Sequence, residues 1–178
     1  MYPKDGGIIL YPTDTIWGIG CDATNAEAVQ RIYTIKRRED SKSMLILMEN
    51  PALLDRYVED VPDVAWDLVE ISSTPLTVIY PGAKNMAQNL IADDGSIGIR
   101  FTKEEFTRNL LQRFRRPLVS TSANISGKKS PLFFDEISED IKEQVDYIVQ
   151  YRQDDLTPSR PSSVIKLGSG GRIDIIRK

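Results

Sequence analysis

The chain has 178 residues, 40% apolar and 28% charged, a composition that suits one well-packed domain and excludes a disordered chain. It contains no histidine and a single cysteine, Cys21, which excludes Ser-His-Asp and Cys-His nucleophiles, the usual zinc sites and an internal disulfide. A formal net charge of −3 argues against coating nucleic acid through overall charge, while leaving room for a local basic patch.

The chain opens on "MYPKDGG", which has neither the basic region nor the apolar core of a secretory signal, so a reducing, cytoplasmic setting is expected. Nowhere does an apolar run approach the roughly 20 residues of a membrane span. "GGIILYP" predicts a strand over Ile8–Tyr11, closed by Gly and Pro. A helix follows from Asn25, whose side chain can cap it, with Ala28, Ile32 and Ile35 at helical spacing. "MLILM" (Met44–Met48) reads as a buried strand. "PALLDRYV" and "VPDVAWDLVEI" read as helices, the second with Ala65, Leu68 and Ile71 on one face. "PLTVIY" and "SIGIRF" are β-rich runs bounded by Pro, Gly and Asp. A helix from Lys103 carries Phe106, Leu110 and Phe114 as an apolar stripe. "PLVS" is a short strand, "DEISEDIKEQV" an acidic, mostly exposed helix, and "YIVQ", "SVIKL" and "IDII" are closing strands. The alternation predicts an α/β domain, helices layered on a mixed, twisted sheet, with no repeat and no linker over residues 1–178.

Four clusters could carry chemistry. "YPTDTIWGIG" sets Thr13, Asp14 and Thr15 before Gly18 and Gly20, either a ligand-holding loop or a glycine-punctuated turn. "IKRRED" places Lys36, Arg37 and Arg38 at a helix end, where cations suit the macrodipole. In an extended or irregular segment, Lys36 and Arg38 would instead face one side together and suit a polyphosphate. "PLVSTSANISG" crowds Ser120, Thr121, Ser122, Asn124 and Ser126 into seven residues after an apolar run, more hydrogen-bonding groups than one turn can use. In "TPSRPSSVIKL", Ser159, Ser162 and Ser163 flank Arg160 and Pro161 before a strand, an ordinary loop or a phosphate reader.

Taken together and in order, "GGIILYPTDTIWGIGCDA", "RIYTIKRR", "SIGIR", "PLVSTSANISG", "PSSVIKL" and "IDIIR" resemble the YrdC-like family, the threonylcarbamoyl-AMP synthases, over essentially the whole chain. The resemblance implies a three-layer domain with a mixed, strongly twisted β-sheet flanked by helices (α+β by connectivity) and a concave basic face. It implies the joining of L-threonine, bicarbonate and ATP into threonylcarbamoyl-adenylate and pyrophosphate, a nucleotidyl transfer, with Mg²⁺ arriving on ATP. A threonylcarbamoyl-transferase system then modifies adenosine 37 of tRNA. By the same resemblance Lys36, Arg38, Ser122 and Asn124 are the catalytic residues, Thr15 seats threonine, and Arg100, Ser120 and Ser162 line the substrate pocket. No protein-held metal is implied. The chain departs from the family at Lys42, Ser43 and Met44, where a Lys-Pro-Leu is common, and at Trp17, where Tyr is commoner. It is expected to lack the second, C-terminal domain of longer relatives and the helix that often precedes the first strand. An alternative is a non-synthase paralogue or a double-stranded RNA or tRNA binder, using Lys36, Arg37, Arg38, Arg113, Arg115, Arg116, Lys128 and Lys129 as one basic face.

Overall fold

The computed structural model describes residues 6–38, 44–168 and 171–178. Lys42 and Ser43 of the departure from the family pattern lie outside them, as do Glu39 and Asp40. Nine strands of the described residues form one mixed sheet: β1 (Ile9–Tyr11), β2 (Gly18–Gly20), β3 (Leu45–Met48), β4 (Leu76–Tyr80), β5 (Ile97–Phe101), β6 (Leu118–Ser122), β7 (Tyr147–Ile148), β8 (Ser163–Leu167) and β9 (Ile173–Arg177). Their spatial order is β7-β1-β2-β6-β3-β5-β4-β8-β9. The β1–β7, β3–β5 and β4–β8 pairs are parallel and the other five antiparallel. The α-helices are α1 (Ala26–Lys36), α2 (Asp63–Ile71), α3 (Glu105–Phe114) and the one-turn α4 (Glu139–Lys142).

The strand period of two sorts side chains onto two unlike faces. On one face Ile8, Leu10, Ile19, Ile46, Val78, Ile97, Ile99, Val119 and Ile165 are buried against Ala28, Val29 and Ile32 of α1 and Ala65 of α2. On the other, Ile9, Tyr11, Leu47 and Leu118 pack against Leu111 and Phe114 of α3. That second core covers only one end of its face. The rest of the face carries Thr77, Gly98, Arg100, Ser120, Ser122 and Ser162 around an open cavity. Helices on both faces of a mixed sheet match the layered α/β architecture expected, and among the described residues no helix is long and apolar enough to cross a membrane.

Several elements differ from the sequence reading for physical reasons. "PALLDRYV" makes a 3₁₀ helix over Pro51–Arg56, capped by Asn50. Ile71 is 75% exposed, because six residues at about 3.6 per turn carry it about 120° round from the buried Ala65. The acidic stretch forms a 3₁₀ turn at Phe134–Glu136 and the short α4, and buries Ile137 and Ile141. Gly18 and Gly20 lie inside β2 rather than in a turn. At Gly20 a Cβ would meet Val119 O at 2.5 Å and Tyr11 at 2.8 Å, so only glycine lets β2 approach there.

Candidate active site

The cavity has a volume of about 310 Å³ and is lined by residues of seven strands, β2 to β6, β8 and β9. In β6 the run Leu118-Val119-Ser120-Thr121-Ser122 is extended throughout, so the strand expected at "PLVS" continues through Thr121 and Ser122. Ser120 and Ser122 share the pleat of Leu118, and their face is polar because a cavity covers it, not helix α3. Registers Ser120↔Leu45 and Leu45↔Gly98 carry the same face into β3 and β5, and Arg100↔Thr77 carries it into β4. Ser162, 2% exposed, sits before β8, its hydroxyl 2.8 Å from that of Thr77. Gly18 and Gly98 keep the floor low: a Cβ on Gly98 would lie 3.3 Å from Leu45 Cβ and 3.4 Å from Thr77 Cγ2.

Above this floor runs the β1–β2 connection. The Thr13 hydroxyl accepts from the Thr15 amide at 3.0 Å and donates to Ile16 O at 2.8 Å. The Thr15 hydroxyl, 3.0 Å from that of Thr13, therefore spends its proton there and turns acceptor lone pairs toward the cavity. Trp17 forms an aromatic wall and packs on Phe134 at 4.9 Å between centroids. Asp14 Oδ1 lies 3.2 Å from Arg100 Nη2, an ion pair without hydrogen-bond alignment. Asp14 Oδ1 and Arg100 Nε are both buried without a hydrogen-bond partner. Arg100 is only 4% exposed yet reaches the cavity, so it offers a desolvated, donor-rich cation to an anion. Burial pushes the Asp14 carboxyl above its usual range, and the Arg100 charge opposes that rise.

The basic motif is split by the end of α1. Asn25 Oδ1 caps the helix start, accepting from the Ala28 amide at 3.0 Å. At the other end Arg37 turns left-handed, φ 50°, and its amide reaches Thr34 O at 3.0 Å. A non-glycine residue adopts that conformation at a cost of about 1–2 kcal/mol, so the turn is held by its surroundings. The three basic side chains diverge as a result, and the extended geometry envisaged for Lys36 and Arg38 does not form. Arg37 points outward with its side chain 71% exposed, 3.6 Å from Asp140. Arg38 lines the cavity, and burial pushes its guanidinium below its ordinary value. Lys36 is buried behind the wall; its ammonium donates to Ser122 O and, at 2.7 Å, to Asn124 O. Burial, and secondarily the Arg38 charge, push the Lys36 amine down to about 7.

Of the expected residues, Thr15, Arg38, Arg100, Ser120, Ser122 and Ser162 meet around the cavity, whereas Lys36 and Asn124 stand behind it. The Asn124 amide nitrogen donates to Ile125 O at 3.0 Å and to Lys128 O at 2.8 Å. Arg160 is exposed and stays off the wall; the cation beside Ser162 is Arg177, whose Nε and Nη2 hold Ser162 O at 3.0 and 2.7 Å. The sequence reading missed Arg177. Its place on the cavity depends on the Arg177↔Val164 register beside a β-bulge, which no local pattern encodes. The single basic face also fails as drawn, since Lys36 is buried, Arg116 is paired with Asp22 at 2.6 Å, and Arg115 and Lys128 flank opposite ends of β6.

Among known proteins, the Sua5/YciO/YrdC family model, described as "Telomere recombination", matches residues 2–178. A threonylcarbamoyl-AMP synthase of Pseudoalteromonas translucida is 34% identical over 171 residues, which cover 94% of this chain and 90% of that protein. The crystal structure of P. abyssi Sua5 complexed with L-threonine matches with a TM-score of 0.83 at 25% identity, over 93% of this chain and 48% of that one. The crystal structure of E. coli YciO matches with a TM-score of 0.84 at 26% identity, over 98% of this chain and 84% of that one. The chain thus spans about half the length of the P. abyssi protein and most of the other two.

Proposed function

Because the chain belongs to the Sua5/YciO/YrdC family, we propose that it is a threonylcarbamoyl-AMP synthase, a nucleotidyltransferase joining L-threonine, bicarbonate and ATP. The observation that carries this reading is the cavity itself. Three arginines (Arg38, Arg100 and Arg177) and the hydroxyls of Thr15, Ser120, Ser122 and Ser162 converge on a floor opened by two glycines. Among the described residues no carboxylate lines that cavity, so its field favours an anionic substrate.

In this reading the free threonine amine attacks the carbon of CO₂ and gives up a proton to become a carbamate, or, starting from bicarbonate, forms the same carbamate as water leaves. A carbamate oxygen then attacks the α-phosphorus of ATP, the bond to the β-phosphate bridging oxygen breaks, and pyrophosphate leaves. Such phosphoryl chemistry asks the protein for positioning and charge stabilisation rather than a covalent nucleophile, which fits a chain without histidine. Arg38, Arg100 and Arg177 offset the charge on the carbamate, α-phosphate and departing pyrophosphate. Ser120, Ser122 and Ser162 orient the oxygens, and the Thr15 hydroxyl accepts from the threonine amine or hydroxyl. Mg²⁺ enters on the triphosphate, held by phosphate oxygens and water, since the wall supplies arginines and hydroxyls and no carboxylate ligand. The adenylate passes to a threonylcarbamoyl-transferase system that acts on tRNA in the cytoplasm.

The test is to incubate the full chain with ATP, L-threonine, bicarbonate and Mg²⁺ and follow pyrophosphate. Release that depends on threonine is expected; release that is absent, or equal without threonine, overturns the reading.

A further inference from the structure

We infer that Lys36 acts through the backbone after β6 and not on the substrate: it is a positioning residue that fixes the Ser122–Asn124 segment, while Arg38 is the basic neighbour that faces the ligand. This deepens the synthase reading of the cavity and rests on it. Lys36 is 1% exposed and stands behind the cavity wall that Arg38 helps to form. Its ammonium donates to Ser122 O and, at 2.7 Å, to Asn124 O, residues 86 and 88 positions away in sequence. In return its own carbonyl accepts the Ser126 amide at 2.8 Å. One residue therefore holds a five-residue stretch from both its donor and its acceptor ends.

The geometry gives that hold a catalytic consequence. Ser122 turns its side chain into the cavity and its carbonyl toward Lys36. Fixing the carbonyl fixes the peptide plane after Ser122 and, with the strand on its other side, restrains ψ and so the range open to the Ser122 hydroxyl. On the far side the Asn124 amide closes the same turn through Ile125 O and Lys128 O, and Gly127, at φ 80°, supplies the reversal. Lys36 is absent from the cavity lining, and moving its amine there would break two part-buried carbonyl bonds, leaving Ser122 O with the Asn124 amide alone at 2.9 Å. An uncharged amine still has two N–H donors, so the anchor survives the loss of the lysine's proton. The Lys-x-Arg and Ser-x-Asn motifs are then one device: the lysine braces the serine strand end, and the left-handed Arg37 swings Arg38 toward the ligand.

The test compares wild type with Lys36→Met in the full chain. Amide exchange of residues 122–126 without ligand is expected to quicken by about tenfold or more, the signature of a local opening. With ATP and threonine, kcat/KM should fall about 100-fold, the scale of a misplacement of about 1 Å, and mainly through kcat. A crystal structure of wild type soaked with ATP should keep the Lys36 amine on both carbonyls. Unchanged exchange at 122–126, a loss confined to the KM for ATP, or an amine that leaves both carbonyls for a phosphate oxygen overturns the inference. If Lys36→Met does not fold, Lys36→Gln gives the same exchange reading. Absence of threonine-dependent pyrophosphate release by wild type would overturn the synthase reading instead, and the exchange comparison alone would then decide the role of Lys36.

Discussion

Replacing Lys36 by methionine should change how stability depends on pH. In the folded chain burial pushes the amine from its ordinary 10.5 down to about 7. At about 1.4 kcal/mol for each tenfold, that gap corresponds to a penalty of about 5 kcal/mol for carrying the charge inside the fold. The two carbonyl hydrogen bonds favour the ammonium and pull the other way, so this is the upper figure. The folded-state value lies below the unfolded one, so between about pH 7 and 10.5 the unfolded chain holds a proton that the folded chain has released. Wild-type stability therefore rises with pH through that window, and the penalty is full below about pH 7. Lys36→Met has no proton to release there. Urea denaturation of both proteins from pH 6.5 to 9.5 should show wild type gaining on the variant by up to about 1.4 kcal/mol per pH step above neutrality, about 3 kcal/mol by pH 9. Other titrating groups cancel in the comparison, as does the constant loss of two hydrogen bonds. Curves that run parallel, or a wild type that loses ground as pH rises, would mean that the Lys36 amine keeps its proton in the fold.

Other perturbations separate the floor from its supports. Arg177→Ala removes the guanidinium that holds Ser162 O; kcat/KM for ATP should fall on the order of 100-fold, while thermal melting changes little at this exposed strand end. Gly98→Val builds a side chain on the cavity floor beside Leu45 and Thr77, and calorimetry should find ATP affinity reduced about tenfold or more with a stability cost of about 1–3 kcal/mol. Leu111→Ala hollows the core that braces the same sheet face; with Leu111 1% exposed, urea titration should show a loss of about 2–5 kcal/mol, with turnover per folded molecule retained.

Much of the fold can be read from local pattern because strands and helices here bury regular stripes. The runs around Ile46, Val78 and Ile99 alternate between a helix-covered face and an open one, and the α1 stripe of Ala28 and Ile32 begins at a true cap, Asn25. What stayed hidden depends on tertiary placement. Thr121 and Ser122 fall outside the short strand read at "PLVS", because polar positions after an apolar run normally mark a turn, whereas here Ser122 continues the strand and faces a cavity. The burial of Lys36 could not be seen either: a lysine in the last turn of a helix is ordinarily solvated, and only the return of β6 past that helix end supplies its acceptors. Arg177 joins the cavity through a bulged register between two strands at the sheet's end, while Arg160, closer in sequence to Ser162, is exposed and does not line it.

The proposed synthase reaction unites a carbamate made from threonine with the α-phosphate of ATP. The most direct measurement supplies ¹³C-bicarbonate, L-threonine, ATP and Mg²⁺ to the purified chain and follows the adenylate by mass spectrometry. An adenylate that carries both threonine and one labelled carbon, formed together with pyrophosphate, is expected. Consumption of ATP that yields only unlabelled adenylate or ADP, with no threonine incorporated, would contradict the proposed reaction.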